Sequence, residues 1–283
     1  MPEKIIIGFS PCPNDTFMFD ALINGRLDNQ DYEFELLMAD IEELNQAVEN
    51  RVPDISKISY AAFPEASDHY EFLSSGSALG YRNGPLIVSK HKIYPDELSD
   101  ATLGIPGIRT TANFLAGILF PGIIKKKVYL FSDIEEAVLS NEVDAGLLIH
   151  ESRFTYFKKG LKLVADLGDL WERHFQSPIP LGGIVVKRSL PDKFKSGINK
   201  LINESVLYAL KNPQASEEFV KSHARETEDE VIRKHIDLYV NDFSIELGDE
   251  GKKAVHLFCQ KGEEHGLFQL KNKNIFYEPI YKK

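Results

Sequence analysis

The sequence has little cysteine and no long hydrophobic run. Only two of its 283 residues are cysteines, Cys12 and Cys259, and they lack the C-x-x-C spacing of a metal site. A disulfide framework is therefore not indicated. No segment approaches the roughly 20 apolar residues that span a bilayer. The N-terminal stretch MPEKIIIGFSPCPND turns polar too quickly for a secretory signal. We therefore expect a cytoplasmic protein without a membrane segment.

Cofactor motifs and an excess of positive charge are also lacking. The chain has no P-loop, no G-x-G-x-x-G and no H-E-x-x-H, so we expect neither a nucleotide cofactor nor a metal. Lysine and arginine number 33 against 43 aspartates and glutamates, which gives a net charge of −10. Because an acidic chain is a poor nucleic-acid binder, the expected partner is a small molecule. The oligomeric state has no signal in the sequence.

The first half of the chain alternates strand and helix signals. Short apolar runs predict strands, and stretches with apolar residues at helical spacing predict the helices between them. Strands separated by helices imply βαβ units with parallel pairing. Two such sets follow each other: strands at 4–9, 32–39 and 54–60 with helices at 15–26 and 40–51, then strands at 101–107, 127–131 and 144–150 with helices at 110–120 and 133–142.

The repeated order of elements predicts an α/β protein of two lobes with a cleft between them. Two extended apolar segments, 85–90 and 183–188, are interpreted as the crossings between the lobes. After residue 189 the pattern is nearly all helical, which predicts a helical C-terminal tail. The expected division is residues 1–87 and 187–283 in lobe 1 and residues 88–186 in lobe 2.

Four loops are predicted to meet at the cleft. Ligands of open α/β sheets bind beyond the carboxyl ends of the strands, beside helix N-termini. Free N–H groups there, with the hydroxyls of Thr110 and Thr111, favour a carboxylate or phosphate, and Lys57 adds a positive charge. The alternative that Asn14, Asp15 and Thr110 only cap helices stays open. The four loops are 10–16, 57–60, 109–113 and 150–151.

His150 is the candidate for chemistry. It closes the apolar strand 144–150, and the pKa of histidine near neutrality suits proton abstraction. A histidine that only forms a hydrogen bond at a strand end is the open alternative. The other seven histidines, in loops, helix ends or the tail, are weaker candidates. Cys12 lies between two prolines that indicate a rigid turn, so we expect it to pack and not to act as a nucleophile.

Five stretches of the sequence are distinctive: GFSPCPNDTFMFDAL, DISKISYAAFPE, GPLIVSK, GIPGIRTTANFL and DAGLLIHESRFTY. Together they resemble the 1,4-dihydroxy-6-naphthoate synthases of the futalosine route of menaquinone biosynthesis. The resemblance implies the type II periplasmic-binding-protein fold. It also implies a lyase reaction on cyclic dehypoxanthine futalosine that yields 1,4-dihydroxy-6-naphthoate and a sugar-derived fragment.

The resemblance also assigns roles to residues. It implies that His150 is the general base that removes a proton from the sugar portion of an anionic, carboxylate-bearing substrate. It implies substrate contacts at Lys57, Ile58 and Ser59 and at Thr110, Thr111 and Ala112. Two alternatives remain: chorismate dehydratase, in which we do not expect the histidine of LLIHES, and a non-catalytic small-anion-binding protein. The loop reasoning adds Asn14, Asp15 and Thr16 as contacts, and the unranked candidates for proton donor are Asp15, Glu151 and Tyr156.

Overall fold

The computed structural model describes residues 3–28, 32–225 and 228–279. The strands in these residues form two sheets. The strands are β1 (Glu3–Phe9), β2 (Tyr32–Met38), β3 (Ile55–Ser59), β4 (Tyr70–Phe72), β5 (Ala78–Gly80), β6 (Leu86–Ser89), β7 (Leu103–Ile105), β8 (Lys126–Val128), β9 (Ala145–Leu148), β10 (Lys162–Asp166) and β11 (Ile179–Lys187).

Helices cover both sheets and make up most of the chain after β11. They are α1 (Pro13–Ile23), α2 (Ile41–Glu49), α3 (Phe63–Ala66), α4 (Thr111–Leu119), α5 (Ile134–Leu139), α6 (Ser152–Thr155), α7 (Leu167–Phe175), α8 (Asp192–Lys211), α9 (Glu217–His223), α10 (Asp229–Tyr239), α11 (Asp242–Ile245) and α12 (Gly248–Glu264). Within the described ranges, no helix is both long and apolar enough to cross a bilayer.

The two sheets share one arrangement. In the first sheet β1 lies between β2 and β3 and is parallel to both, and β11 pairs antiparallel with β3. In the second sheet β7 lies between β8 and β9 and is parallel to both, and β6 pairs antiparallel with β9. Each sheet therefore contains one βαβαβ unit and one antiparallel strand, and the predicted α/β architecture with a helical tail is confirmed.

The positions predicted for the crossings are wrong. The apolar segments 85–90 and 183–188 lie within or at the ends of the sheet strands β6 and β11, because each run can bury its side chains inside a sheet. The chain passes between the sheets at residues 81–85 and 167–178. Strand β11 joins the first sheet from Ile179 onward. The expected division of the chain into two lobes stays a prediction.

The two crossings touch through glycines. A Cβ added to Gly84 would lie 2.4 Å from both the N and Cα atoms of Gly168. Since real Cβ atoms do not approach backbone so closely, both positions require a residue without a side chain. The two connections between the sheets therefore lie backbone against backbone at this point.

The helical tail packs on both units. Helix α8 contributes Ile198, Ile202 and Val206 to an apolar cluster that also contains Phe17 and Phe19 of α1. On the other side, α12 places the Phe258 ring 4.0 Å from that of Phe114 in α4 and 5.9 Å from that of Trp171 in α7 (centroid distances). Aromatic burial of this kind contributes strongly to packing, so the tail is part of the core and not an appendage.

Several elements were not predicted from the sequence. Strands β4 and β5 were missed because each has only three residues. Strand β10 and helix α7 were missed because one follows directly on the other. The predicted strand 127–131 is shorter, since β8 ends at Val128 and a 3₁₀ turn covers Phe131–Asp133. None of these differences moves the predicted cleft loops.

Candidate active site

A cleft between the two sheets receives side chains from all four predicted loops. Strands of both sheets end at it, and helices α1 and α4 begin beside it. Eight of the ten predicted catalytic or binding residues line it: Asn14, Asp15, Lys57, Ser59, Thr110, Thr111, Ala112 and His150. Of the three candidate proton donors, Asp15 lines the cleft, whereas Glu151 and Tyr156 are outside its lining in the described residues.

The other two predicted contacts, Ile58 and Thr16, do not line the cleft. Successive side chains of a strand point to opposite faces, so Lys57 and Ser59 face the cleft while Ile58 enters the apolar core, where its exposure is 0%. Thr16 is also 0% exposed, and its hydroxyl donates to the Cys12 carbonyl at 3.1 Å, inside its own helix. Both residues are structural in this conformation.

The first wall of the cleft is the beginning of α1. The N-cap residue is Cys12, whose side chain makes no capping hydrogen bond, and Pro13 occupies the first turn. The idea that Asn14 or Asp15 caps this helix is therefore wrong: both lie inside its first turn. Pro13 at the start fits the helix because its missing N–H would have had no intrahelical partner.

Asp15 is the centre of a buried polar network in this wall. Its carboxylate accepts from the Ser10 hydroxyl at 2.7 Å and from the Asn14 amide at 2.9 Å. The Lys57 ammonium lies 3.6 Å from it, and the side chains of both Asp15 and Lys57 are 3% exposed. Buried charges persist when they are paired and hydrogen-bonded, as these are.

The charge of Lys57 is already compensated within the protein. Burial lowers the pKa of Lys57, and the Asp15 carboxylate acts against that decrease. The ammonium also donates to the Gly76 carbonyl at 2.6 Å. The Lys57 ammonium is therefore already paired within the protein.

The second wall is the beginning of α4. Thr110 is its N-cap, as predicted, and accepts from the Asn113 N–H at 3.3 Å. The Thr111 hydroxyl donates at 2.7 Å to the Leu181 carbonyl of β11, so it links this helix to the first sheet. The N–H groups of Thr111 and Ala112 have no acceptor among the residues that the structure describes. These two amides form a site suited to an anion.

His150, which follows β9 of the second sheet, has an unusual backbone conformation. Its φ is 57°, the left-handed region, where a residue with a Cβ carries strain of about 1–3 kcal/mol. Its Nε2 lies 3.8 Å from the Cys12 Sγ across the cleft, and its ring lies 4.7 Å from that of Phe131. Of the five described non-glycine residues with positive φ, His150 is the one whose side chain lines the cleft.

Arg153 holds the segment after His150. Its guanidinium donates to the carbonyls of Gly84 and Arg82 in the first crossing, and it forms an ion pair with Asp166 at 3.0 Å. Its own N–H donates to the His150 carbonyl at 3.3 Å. The candidate base is thus connected to the crossing through one arginine.

The contact between Cys12 and His150 resembles a nucleophile–base pair in position but not in electrostatics. Burial raises the pKa of the Cys12 thiol well above its ordinary value, and the carboxylates of Glu151 and Asp15 raise it further. Nucleophilic cysteines instead have a lowered pKa, since the thiolate is the reactive form. Cys12 is buried and packs against His150, and its exclusion as a nucleophile stays a prediction.

His235 is a cleft residue that the sequence reasoning missed. It lies on α10 in the helical tail, and its ring is nearly parallel to that of His150 at a centroid distance of 6.0 Å. The helical spacing of the buried residues Val231, His235 and Tyr239 places His235 on the apolar face of its helix, a signal that was available in the sequence. The other cleft residues that were missed include Asn83, Leu181, Gly182 and Tyr239.

The cleft is nearly closed. Arg109 of the second unit lies 3.6 Å from Glu42 and 2.7 Å from Glu49, both on α2 of the first unit. The space that water can occupy inside is ≈ 90 Å³, below the roughly 300–1,000 Å³ of typical ligand pockets. In the described part of the chain, no group of three or more His, Cys, Asp or Glu side chains is placed to hold a metal ion.

Comparison with protein families and curated proteins gives consistent matches. A family model described as menaquinone biosynthesis matches residues 5–264. The chain is 41% identical over 266 residues to a 1,4-dihydroxy-6-naphtoate synthase of Thermus thermophilus, covering 94% of this chain and 96% of that protein. It is 38% identical over 270 residues to the protein of the same name from Streptomyces coelicolor, covering 94% and 95%.

Solved structures support the architecture. The periplasmic aliphatic sulphonate binding protein SsuA of Escherichia coli superimposes with a TM-score of 0.69, covering 100% of this chain and 94% of that one at 13% identity. At this identity the likeness concerns the fold alone. It agrees with the periplasmic-binding-protein-like fold implied by the sequence resemblance.

Proposed function

Because the chain belongs to the menaquinone biosynthesis family, we propose that its cleft converts cyclic dehypoxanthine futalosine to 1,4-dihydroxy-6-naphthoate, with His150 as the general base. The chain is an enzyme of the lyase type with a small-molecule substrate. The observation that carries the role of His150 is its strained, left-handed backbone at the cleft wall, which aims the imidazole at the space between the two units.

The proposed binding mode uses the difference between the walls. The substrate carboxylate accepts hydrogen bonds from the amides of Thr111 and Ala112, where the α4 dipole adds a partial positive charge. Lys57 and Ser59 bound the opposite side. The sugar portion then lies toward His150, whose imidazole takes the proton that starts the fragmentation.

Substrate entry requires the cleft to open. A space of ≈ 90 Å³ is too small for a two-ring aromatic acid that carries a sugar-derived portion. The ion pairs of Arg109 with Glu42 and Glu49 then re-form over the bound substrate and exclude water from the reacting atoms. We further propose that the enzyme works in the cytoplasm, which fractionation of its native cells would test.

The activity is tested by two parallel incubations of the pure protein, one with cyclic dehypoxanthine futalosine and one with chorismate. We expect 1,4-dihydroxy-6-naphthoate from the first and no change in the second. Consumption of chorismate would assign the chain to chorismate dehydratase. If both substrates persisted, a non-catalytic small-anion-binding protein would replace the proposal.

The base role is tested by His150→Ala. We expect turnover to fall by about 10²- to 10⁴-fold, the usual contribution of a general base, while substrate binding measured by calorimetry remains. Cys12→Ser is the matched control, since it alters the partner in the same 3.8 Å contact and keeps a small neutral side chain. A large loss in Cys12→Ser with little loss in His150→Ala would reverse the two assignments.

A further inference from the structure

His235 is buried at the cleft although it belongs to neither βαβαβ unit. Its exposure is 0%, and it reaches the site from α10, one helical turn before Tyr239. Its ring lies 4.7 Å from that of Tyr239 on one side and 6.0 Å from that of His150 on another. Because buried polar atoms normally have hydrogen-bond partners, a partner is expected for each of its two ring nitrogens.

The hydrogen bond to Asn14 determines the tautomer of His235. The Asn14 amide nitrogen donates to Asp15 Oδ1 at 2.9 Å, so the Asn14 oxygen is the atom that faces the histidine. That oxygen only accepts, and His235 Nε2 lies 2.8 Å from it. Nε2 must therefore carry the proton and donate it.

The remaining nitrogen, Nδ1, is a lone-pair acceptor. Burial lowers the pKa of His235 well below its ordinary value, and the neighbouring His150 lowers it further, so the ring is neutral. Within the described residues Nδ1 is buried and has no hydrogen-bond partner. An acceptor left without a donor is unfavourable in the empty protein, and a bound ligand that supplies a donor removes that penalty.

We infer that His235 is a substrate-binding residue whose Nδ1 accepts a hydrogen bond from a hydroxyl of the sugar portion of the substrate. The inference rests on the proposed function, since it takes the group beside His150 to be that sugar portion. Carboxylates cannot fill this position, because they lack a donor, whereas an alcohol supplies one. The parallel rings of His150 and His235 then hold one sugar fragment, with a carbon-bound proton at the first and a hydroxyl at the second.

Two substitutions distinguish the roles of the two ring nitrogens of His235. The amide of His235→Gln reaches the place of Nε2 and keeps the bond to Asn14, but it leaves no acceptor at Nδ1. The amide of His235→Asn reaches the place of Nδ1 and can present its oxygen there. We expect His235→Gln to lower kcat/KM by about tenfold or more, the effect of one lost hydrogen bond to a buried partner. His235→Asn should recover a large part of that loss.

The control variant is His265→Gln, which changes an exposed histidine just after α12 and should leave kcat/KM unchanged. Equal losses in His235→Gln and His235→Asn would show a purely structural role and would overturn the inference. Wild-type kcat/KM in His235→Gln would overturn it as well.

A spectroscopic measurement covers the case in which the His235 variants do not fold. The His150→Ala protein, labelled with ¹⁵N-histidine, is titrated with cyclic dehypoxanthine futalosine and separately with 1,4-dihydroxy-6-naphthoate. We expect the Nδ1 resonance of His235 to shift toward the hydrogen-bonded range with the first ligand only, because the second lacks the sugar hydroxyls. Binding without this shift overturns the inference alone, whereas a wild-type enzyme that leaves the substrate unchanged overturns the proposed function.

Discussion

The helices α1 and α4 begin at equivalent places in two units of the same strand order, yet their first turns differ in charge and capping. Helix α1 carries Asp15 in its first turn, and the carboxylate is saturated by Ser10, Asn14 and Lys57. Helix α4 has no acidic residue in its first turn, and its N-cap is the neutral Thr110. The first turn of α1 thus contains an internal carboxylate with protein partners, whereas the first turn of α4 contains none.

This difference shows how a repeated unit acquires two roles. The positive end of a helix attracts an anion, which the protein itself or a substrate can supply. Where the protein supplies it, as at α1, the wall becomes a fixed support that holds Asn14 and, through it, His235. At α4 the N–H groups of Thr111 and Ala112 have no acceptor among the described residues, although the Arg109 N–H just before the helix donates to the Glu42 carboxylate. Four measurements test this difference between the two walls.

The largest effect is expected from Asp15→Asn. The substitution leaves Lys57 as a buried charge without its counter-ion, which typically costs about 3–5 kcal/mol of the free energy of unfolding. Urea denaturation at neutral pH measures the loss. The double variant Asp15→Asn with Lys57→Met removes both charges and should be more stable than the single one. A single variant as stable as the wild type would mean that the first wall does not depend on its internal anion.

The next effect is a dependence of stability on pH that comes from His235, which is hydrogen-bonded to Asn14 in the first wall. His235 has a folded-state pKa well below 6.5, so below pH 6.5 the unfolded chain binds a proton that the folded protein does not. Its contribution is present above that pH and is lost as the pH falls, by about 1.4 kcal/mol per pH unit.

The comparison for this effect is the wild type against His235→Gln, by urea denaturation between pH 7.5 and pH 5.5. All other titrating groups are common to both proteins, so the difference between the curves isolates His235. We expect the wild type to lose stability more steeply on acidification. Parallel curves would mean that His235 titrates normally in the folded protein.

A smaller effect is expected at the second wall from Thr110→Ala. The change removes the side-chain cap on the Asn113 N–H and the hydrogen bond to the Gly107 carbonyl, at a typical cost of about 1 kcal/mol. Thr110→Ser keeps the hydroxyl and is the matched control. If both variants lost the same stability, packing of the Thr110 methyl group and not the cap would explain the effect.

The smallest effect is expected from Arg109→Ala at the mouth of the cleft. The arginine side chain is 34% exposed, and pairs of this kind are worth up to about 1 kcal/mol. Unfolding stability should hardly change, while small-angle scattering of the free protein should show a more open average shape than in the wild type. An unchanged scattering profile would mean that the pairs with Glu42 and Glu49 do not hold the walls together.

Much of this architecture can be predicted from the sequence, because apolar strands that alternate with amphipathic helices indicate βαβ units. The four cleft loops followed from one rule about strand ends, and the strand end at His150 obeys it. The misplacement of Ile58 was avoidable, since side-chain alternation along β3 sends it away from Lys57 and Ser59.

Other features depend on the tertiary structure and have no local signal. The approach of α10 to the first wall, which brings His235 to Asn14, joins residues 221 positions apart. The ion pair of Asp15 with Lys57 likewise joins a helix to a neighbouring strand. The crossings were misplaced because β6 and β11 are as apolar as any buried connection, and only strand pairing identifies them as members of the sheets.

The contact of Gly84 with Gly168 has a mechanical consequence. Because the two connections between the sheets lie backbone against backbone there, we expect any rotation of one unit relative to the other to be centred near this contact. At this contact the Arg153 guanidinium donates a hydrogen bond to the Gly84 carbonyl, and the Arg153 backbone N–H donates to the His150 carbonyl. We expect the opening that admits a substrate to move this segment, so that the position of the His150 imidazole depends on the angle between the two units.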